Sequence, residues 1–217
     1  EQTRSGILST AQSYLKVVNS DSALRSLTRS SIDLDAVREG APMTIYIVIP
    51  PDKLESHGAL LRLWVGALML TVMGRRRRPK RSTLFLLDEC AQLGEFGPLR
   101  QSMTLLRGYG LQVWPFFQDL SQLQRLYPKD WRTIFNNAGV FQLFGVANHL
   151  MAKESSDLIG DIDADTLRNM APDRQIIARS GVKALACRLP DYLEDAPFKG
   201  MFDQNPMFEE EPEPAPV

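Results

Sequence analysis

The sharpest chemical feature of this 217-residue chain is the string LFLLDE at 84–89. Four apolar residues mark a buried strand, and two adjacent carboxylates, Asp88 and Glu89, follow at its C-terminal end. In open α/β sheets, ligands bind beyond that edge. One carboxylate there can help hold hydrated Mg²⁺, a hard cation that takes oxygen ligands. A second can polarise a nucleophilic water, provided it sits within hydrogen-bond reach. Taken alone, the string also fits a solvated acidic turn.

The rest of the charge is balanced, with 25 Lys plus Arg against 26 Asp plus Glu, so net charge says nothing about partners. Its distribution is informative. Residues 75–81 read RRRRPKR and residues 209–213 read EEEPE. The basic run, with Arg75, Arg76, Arg77 and Arg78 at its head, fits either a solvated loop or a contact to nucleic-acid phosphates with salt-dependent affinity. The two cysteines, Cys90 and Cys187, and the two histidines, His57 and His149, have no metal-ligand spacing. Neither do they make a disulfide framework, so a reducing cytosolic setting is expected.

The elements that must position these groups can be placed from pattern. Residues 1–39 are polar and predict two or three short helices, one over Ser5–Val18. MTIYIVI at 43–49 predicts a buried strand stopped by Pro50-Pro51. Residues 54–73 predict a helix that is apolar nearly all round. It holds an Arg and its uninterrupted apolar stretch is short for a membrane span, so a buried core helix is expected. Thr83–Leu87 is the strand that carries the acids. Pro98 suits the first turn of a helix running to about Arg107, with Leu99, Met103 and Leu106 on one face. A strand follows at Leu111–Phe117, broken or splayed by Pro115. Asp119 should cap a helix at 120–126. A helix at about 129–137, a strand at Val140–Val146 and a helix at 148–159 complete an alternation that predicts a parallel sheet covered on both faces. QIIARSGVKALACRL then predicts a β-hairpin around Ser180-Gly181, and from 194 onward an acidic, Pro-rich stretch predicts a disordered tail.

The run FLLDECAQLGEFGPLRQSMTLLRGYGLQVWPFFQDLSQLQRLYP, followed by NNAGVFQLFGV, resembles the coupling proteins of type IV secretion and conjugation systems, the TraG/TraD family. TIYIVIPPDKL extends the likeness upstream, and residues 42–160 carry most of it. The resemblance implies a RecA-like P-loop ATPase core similar to the FtsK and HerA translocases, with a mostly parallel sheet. LFLLDE is then a Walker B element, with Asp88 binding Mg²⁺ through water and Glu89 as the catalytic carboxylate. Gln118, at the tip of the next strand, would bond a γ-phosphate oxygen or the attacking water, or alternatively only cap the following helix. Arg107 would be an arginine finger for a neighbouring subunit's ATP, or alternatively a last-turn cation favourable to the helix dipole. Implied cofactors are ATP and Mg²⁺. Implied partners are relaxase–DNA or effector cargo, secretion-channel components and further copies of the chain in a hexamer. The implied location is the cytoplasmic face of the bacterial inner membrane, with membrane contact through a region outside this chain.

Two departures from the family pattern stand out. No G-x-x-x-x-G-K-[ST] string occurs, so the phosphate-cradling Walker A loop and its strand are lacking, and the fragment alone should not turn over ATP. Cys90 stands where the family usually carries Phe. In family terms residues 1–39 are the end of an inserted all-helical region and 40–193 the later part of the ATPase domain. Strand 43–49 should pair with 83–88, and 83–88 with 111–117. A strand-wide vacancy should separate 111–117 from 140–146. A cargo-docking module that keeps the fold without catalysis is the alternative function.

Overall fold

The computed structural model describes residues 2–15, 20–105, 107–146, 148–203 and 205. The chain divides into two compact units, Glu1–Ala138 and Gly139–Val217.

The first unit opens with three short helices, α1 (Gln2–Leu15), α2 (Asp21–Leu27) and α3 (Leu34–Glu39). Residues 16–18 of the helix expected over Ser5–Val18 lie outside the described residues. Asp33 caps α3, accepting from Asp35 N and Ala36 N, and Gly40 closes it in the left-handed region. The long α4 (Leu54–Met73) leads to β1 (Thr83–Leu87), α5 (Gly97–Leu105), β2 (Leu111–Pro115), α6 (Leu120–Leu126) and α7 (Trp131–Asn137). The strands β1 and β2 pair in parallel, from Thr83 opposite Leu111 to Leu87 opposite Pro115, as the βαβ pattern requires.

Pro115 does not break this pairing. Phe116 N donates to Leu87 O at 3.0 Å, and Cys90 N donates to Phe116 O at 2.9 Å. In a parallel ladder alternate residues bond to the same neighbour, so the position without an N–H falls on the side of β2 away from β1.

The pair packs one face on the helices. Phe85, Leu87 and Val113 lie against Val65 and Met69 of α4, Leu99 of α5, Leu123 of α6 and Ile134 of α7. A second cluster joins Val37 of α3 and Leu68 and Val72 of α4 to Leu111. The other face is open. Leu84 is 50%, Leu86 55% and Trp114 43% exposed, with Trp114 stacked on Phe116. The expectation of a sheet covered on both faces is therefore corrected: among the described residues of this unit, the helices that pack on β1 and β2 take the same side.

Three further expectations are corrected. Residues 43–49 form no ladder with β1 among the described residues. They run without regular structure, with Ile45 and Ile47 turned into the clusters and Tyr46 and Val48 outward. Alternation fixed which side chains are buried, and those two anchors hold the segment without backbone pairing. The helix α4 is buried along one stripe, at Leu60, Val65, Leu68, Met69 and Val72, while Leu63 and Leu70 on its other side are more than half exposed. Length and composition alone would also let Pro51–Met73 cross a membrane. Finally, the strand expected at 140–146 is short, β3 (Phe141–Leu143), and belongs to the second unit's sheet, where it pairs antiparallel with β4.

In that second unit, α8 (His149–Ile159) and α9 (Ala164–Arg168) precede the hairpin β4 (Arg174–Arg179) and β5 (Val182–Arg188), which turns at Ser180-Gly181 as expected. Asn148 and Asp163 cap the two helices through Met151 N and Thr166 N. Its core is Val146, Ala152, Leu167 and Ile176. Of the expected tail, residues 194–203 carry backbone turns, and Asp195 pairs with Arg188. Residues 204 and 206–217 lie outside the described residues.

Candidate functional site

At the C-terminal edge of β1 the chain turns sharply. Glu89 adopts φ 48°, ψ 47°, the only non-glycine residue with positive φ among those described. A Cβ in the left-handed region costs roughly 1–2 kcal/mol, and such strain concentrates where function over-determines the backbone. The kink lets Cys90 turn back under the sheet, where it is 2% exposed in the core of the unit. Burial pushes its thiol up to about 12. Cys90 is thus a buried packing residue. Asp88 and Glu89 themselves are exposed, and Asp88 Oδ1 accepts from Glu89 N at 3.2 Å.

Gln118 meets them from the next strand-to-helix turn. Its Nε2 donates to both oxygens of Glu89, at 3.2 Å and 3.0 Å. The turn is fixed by Asp119, which caps α6 by accepting from Gln122 N at 2.8 Å and from Ser121 Oγ at 2.7 Å. The Ser121 bond, then the backbone bond, holds the Asp119 carboxyl below its ordinary value. Helix capping at this turn is therefore the work of Asp119, and the amide of Gln118 is directed at Glu89.

One participant was missed at the sequence level. Gln122, in the first turn of α6, donates from Nε2 to Gln118 Oε1 at 3.1 Å, and its Oε1 accepts from Gln118 N at 3.0 Å. The signal was available as two glutamines four residues apart, which meet when a helix starts between them.

The loop behind the acids is held by Tyr127, 3% exposed, whose hydroxyl accepts from Phe96 N at 3.0 Å. Desolvation pushes this phenol up, so it stays protonated. An Arg100–Asp130 ion pair at 3.0 Å ties α5 to α7 beside it.

The remaining candidates are not gathered at this edge. Arg75 is 5% exposed, and its guanidinium donates to Arg38 O at 2.7 Å, Val37 O at 2.8 Å and Thr83 Oγ1 at 2.7 Å, with longer bonds to Tyr109 O and Gly110 O. Desolvation lowers its pKa, opposed by Glu39. Its whole donor fork is engaged inside the fold, so the expectation that Arg75 touches nucleic acid is corrected. Arg76, Arg77 and Arg78 are exposed. Their loop is pinned where Pro79 meets Gly40 and Gly110: a Cβ on Gly40, at φ +73°, would lie 2.6 Å from Pro79 Cβ. Gly110 O also accepts from Thr83 N, the first residue of β1. The basic loop therefore sits at the opposite end of β1 from the acids, about 17 Å away for a five-residue strand. Arg107 opens a short 3₁₀ turn, Arg107–Tyr109; its side chain, like Leu106, lies outside what is described.

Chemically, the edge presents two carboxylates and an amide, all hard oxygen or hydrogen-bonding groups. No cluster of three or more potential ligands surrounds a metal position among the described residues. Such a set suits Mg²⁺ that keeps several waters and is shared with substrate phosphates, and does not suit an all-protein cage.

A family model described as type IV secretory system conjugative DNA transfer matches residues 1–166. The chain belongs to that family. It is 28% identical over 133 residues to the conjugal transfer protein TraG of Escherichia coli, a match covering 57% of this chain and 21% of TraG. It is 24% identical over 169 residues to the type IV secretion system-coupling protein VirD4 of Bartonella quintana, covering 76% of this chain and 26% of VirD4. The chain thus spans about an eighth to a quarter of the length of the curated relatives it matches. The plasmid coupling protein TrwB, solved with the GTP analogue GDPNP and with ADP and Mg²⁺, superposes with a TM-score of 0.65 at 16% identity, over 80% of this chain and 51% of TrwB. That likeness establishes a RecA-like α/β fold of the family type.

Proposed function

We propose that this chain carries the water-activating half of a Mg²⁺–ATP site in a motor of conjugative transfer. The observation that carries it is the juncture of a strained Glu89 with the amide of Gln118, at the sheet edge where α/β folds bind ligands. A docking scaffold has no need of backbone strain that holds a carboxylate against a positioned amide. Mg²⁺–ATP, when bound, supplies the γ-phosphoryl group and its charge. Asp88 would hold the ion through water. Glu89 accepts a hydrogen bond from the attacking water and takes its proton. Gln118 steadies the base, since its NH₂ donates to both oxygens of Glu89. The solved TrwB complexes with ADP, Mg²⁺ and a nucleotide analogue lend support.

In the assembled protein, Arg107 acts as a finger in a neighbouring subunit's site, within a hexamer at the cytoplasmic face of the inner membrane. The cargo is relaxase–DNA or an effector protein delivered to the secretion channel, and residues 1–39 close an inserted helical region. Mixing Arg107→Ala subunits with subunits of dead site but intact Arg107 should restore turnover, and failure to do so argues against a finger in trans.

The site assignment is tested by nucleotide binding in a form of the protein that also carries a phosphate-binding loop. Glu89→Gln should keep Mg²⁺-dependent ATP affinity, while Asp88→Ala should weaken it. Equal effects of the two substitutions on Mg²⁺ dependence would refute the division of labour.

A further inference from the structure

We infer that Gln122 is a positioning residue that decides which end of the Gln118 amide faces Glu89. An amide side chain can present either its NH₂ or its oxygen, and nothing in Gln118 alone selects between them. Here the choice is forced from the backbone outward. Gln118 N–H is a donor only, so the group facing it at 3.0 Å must be Gln122 Oε1. That orients Gln122 Nε2 toward Gln118, 3.1 Å from its side-chain oxygen. The oxygen of Gln118 is thereby occupied, and its NH₂ is left to face the two oxygens of Glu89. The direction of every bond in the chain of three side chains follows from one N–H.

The helix start makes this possible. Asp119 fixes the first turn of α6 by accepting from Gln122 N, which brings residue 122 back over residue 118. Gln122 is half-buried and its hydrogen bonds run to Gln118 and Asp119, so it acts through Gln118. If the amide were reversed, the oxygen of Gln118 would oppose the carboxylate of Glu89 and push it from its place. The inference rests on the reading of Glu89 as the water-activating group for its consequence in turnover, but not for its geometry.

Gln122→Glu separates the two bonds. It keeps the acceptor for Gln118 N–H and removes the donor to Gln118 Oε1, so the amide should turn its NH₂ to residue 122. Gln122→Met removes both bonds while keeping a good helix former. The first readout needs no nucleotide. In the 217-residue chain, the side-chain NH₂ signal of Gln118 in ¹H–¹⁵N spectra should move on Glu89→Ala. In the Gln122→Glu background the same change should leave it in place, whereas in the Gln122→Met background, where no competing acceptor turns the amide away from Glu89, it should still move. An equal response in all three backgrounds overturns the inference. The second readout uses a form that hydrolyses ATP. There, Gln122→Glu should lower kcat roughly tenfold to a hundredfold, the scale of a misplaced catalytic group, with KM unchanged. A Gln118 signal uncoupled from Glu89 together with an unchanged kcat overturns the role in turnover and, with it, the assignment of Glu89. A coupled signal with a lowered kcat overturns the orienting role of Gln122 and leaves the assignment of Glu89 standing.

Discussion

Replacing Arg75 should strongly destabilise this chain, and replacing its three neighbours should not. The guanidinium of Arg75 joins the C-terminal end of α3 to the starts of β1 and β2 through three bonds of 2.7–2.8 Å and two longer ones. A bond from a charged donor contributes about 1.5–3 kcal/mol net, and a stranded buried acceptor costs about 1–3 kcal/mol. Some of the freed carbonyls will recover water, and the cation's own desolvation offsets part of the gain. Arg75→Ala is therefore expected to cost about 3–5 kcal/mol, as the loss of several charge-assisted bonds discounted for those offsets. Arg75→Lys should cost less, about 1–3 kcal/mol, because an ammonium keeps the charge but cannot serve acceptors in the plane of a fork. With a urea slope of about 2 kcal/mol per M, Arg75→Ala should lower the midpoint by about 2 M. The assay is equilibrium urea denaturation followed by far-UV circular dichroism, with Arg76, Arg77 and Arg78 together changed to Ala as the comparison. A midpoint for Arg75→Ala within about 0.3 M of the wild type, at unchanged slope, would refute the structural role.

Two other predictions follow from the two ends of β1. At the acid end, Glu89→Gly should stabilise the chain by about 1 kcal/mol, because glycine adopts a left-handed backbone without a Cβ clash; urea midpoints check this, and a destabilised variant would mean that the bonds to Gln118 outweigh the strain. At the basic end, changing Arg76, Arg77 and Arg78 to Ala should weaken nucleic-acid binding and flatten the dependence of log affinity on log salt by up to about three phosphate contacts; an unchanged slope returns the loop to a solvated role.

Much of this site was legible from residue order. Asp88 and Glu89 stand at a strand end because four apolar residues precede them, and Asp119 caps α6 because a short oxygen-bearing side chain precedes an apolar period. The hairpin at Ser180-Gly181 followed from two β-rich runs around a turn pair. What was not legible depends on neighbours that pattern does not name. An Arg in a run of four Arg gives no sign that it alone will be enclosed, since enclosure of Arg75 depends on where the ends of α3 and β2 come to rest. Alternation in MTIYIVI marked Ile45 and Ile47 as inward but could not specify a backbone partner. The strand at 141–143 followed the hairpin instead of the parallel pair, a choice between two sheets that each offer an edge. The strain at Glu89 and the amide relay through Gln122 appear only once the turn after β1 and the start of α6 are placed side by side.

The most direct test of the account is the rate of ATP hydrolysis with and without the carboxylate of Glu89. In a form of the protein that also carries a phosphate-binding loop, Glu89→Gln should bind Mg²⁺–ATP and lose turnover by about 10²–10⁴-fold, the usual contribution of a positioned base. The 217-residue chain by itself should show no turnover above that of its own Glu89→Gln variant. Near-normal hydrolysis by Glu89→Gln in the longer form, or Mg²⁺-dependent hydrolysis by the chain alone that Glu89→Gln abolishes, would contradict the assignment of this edge as the water-activating half of the site.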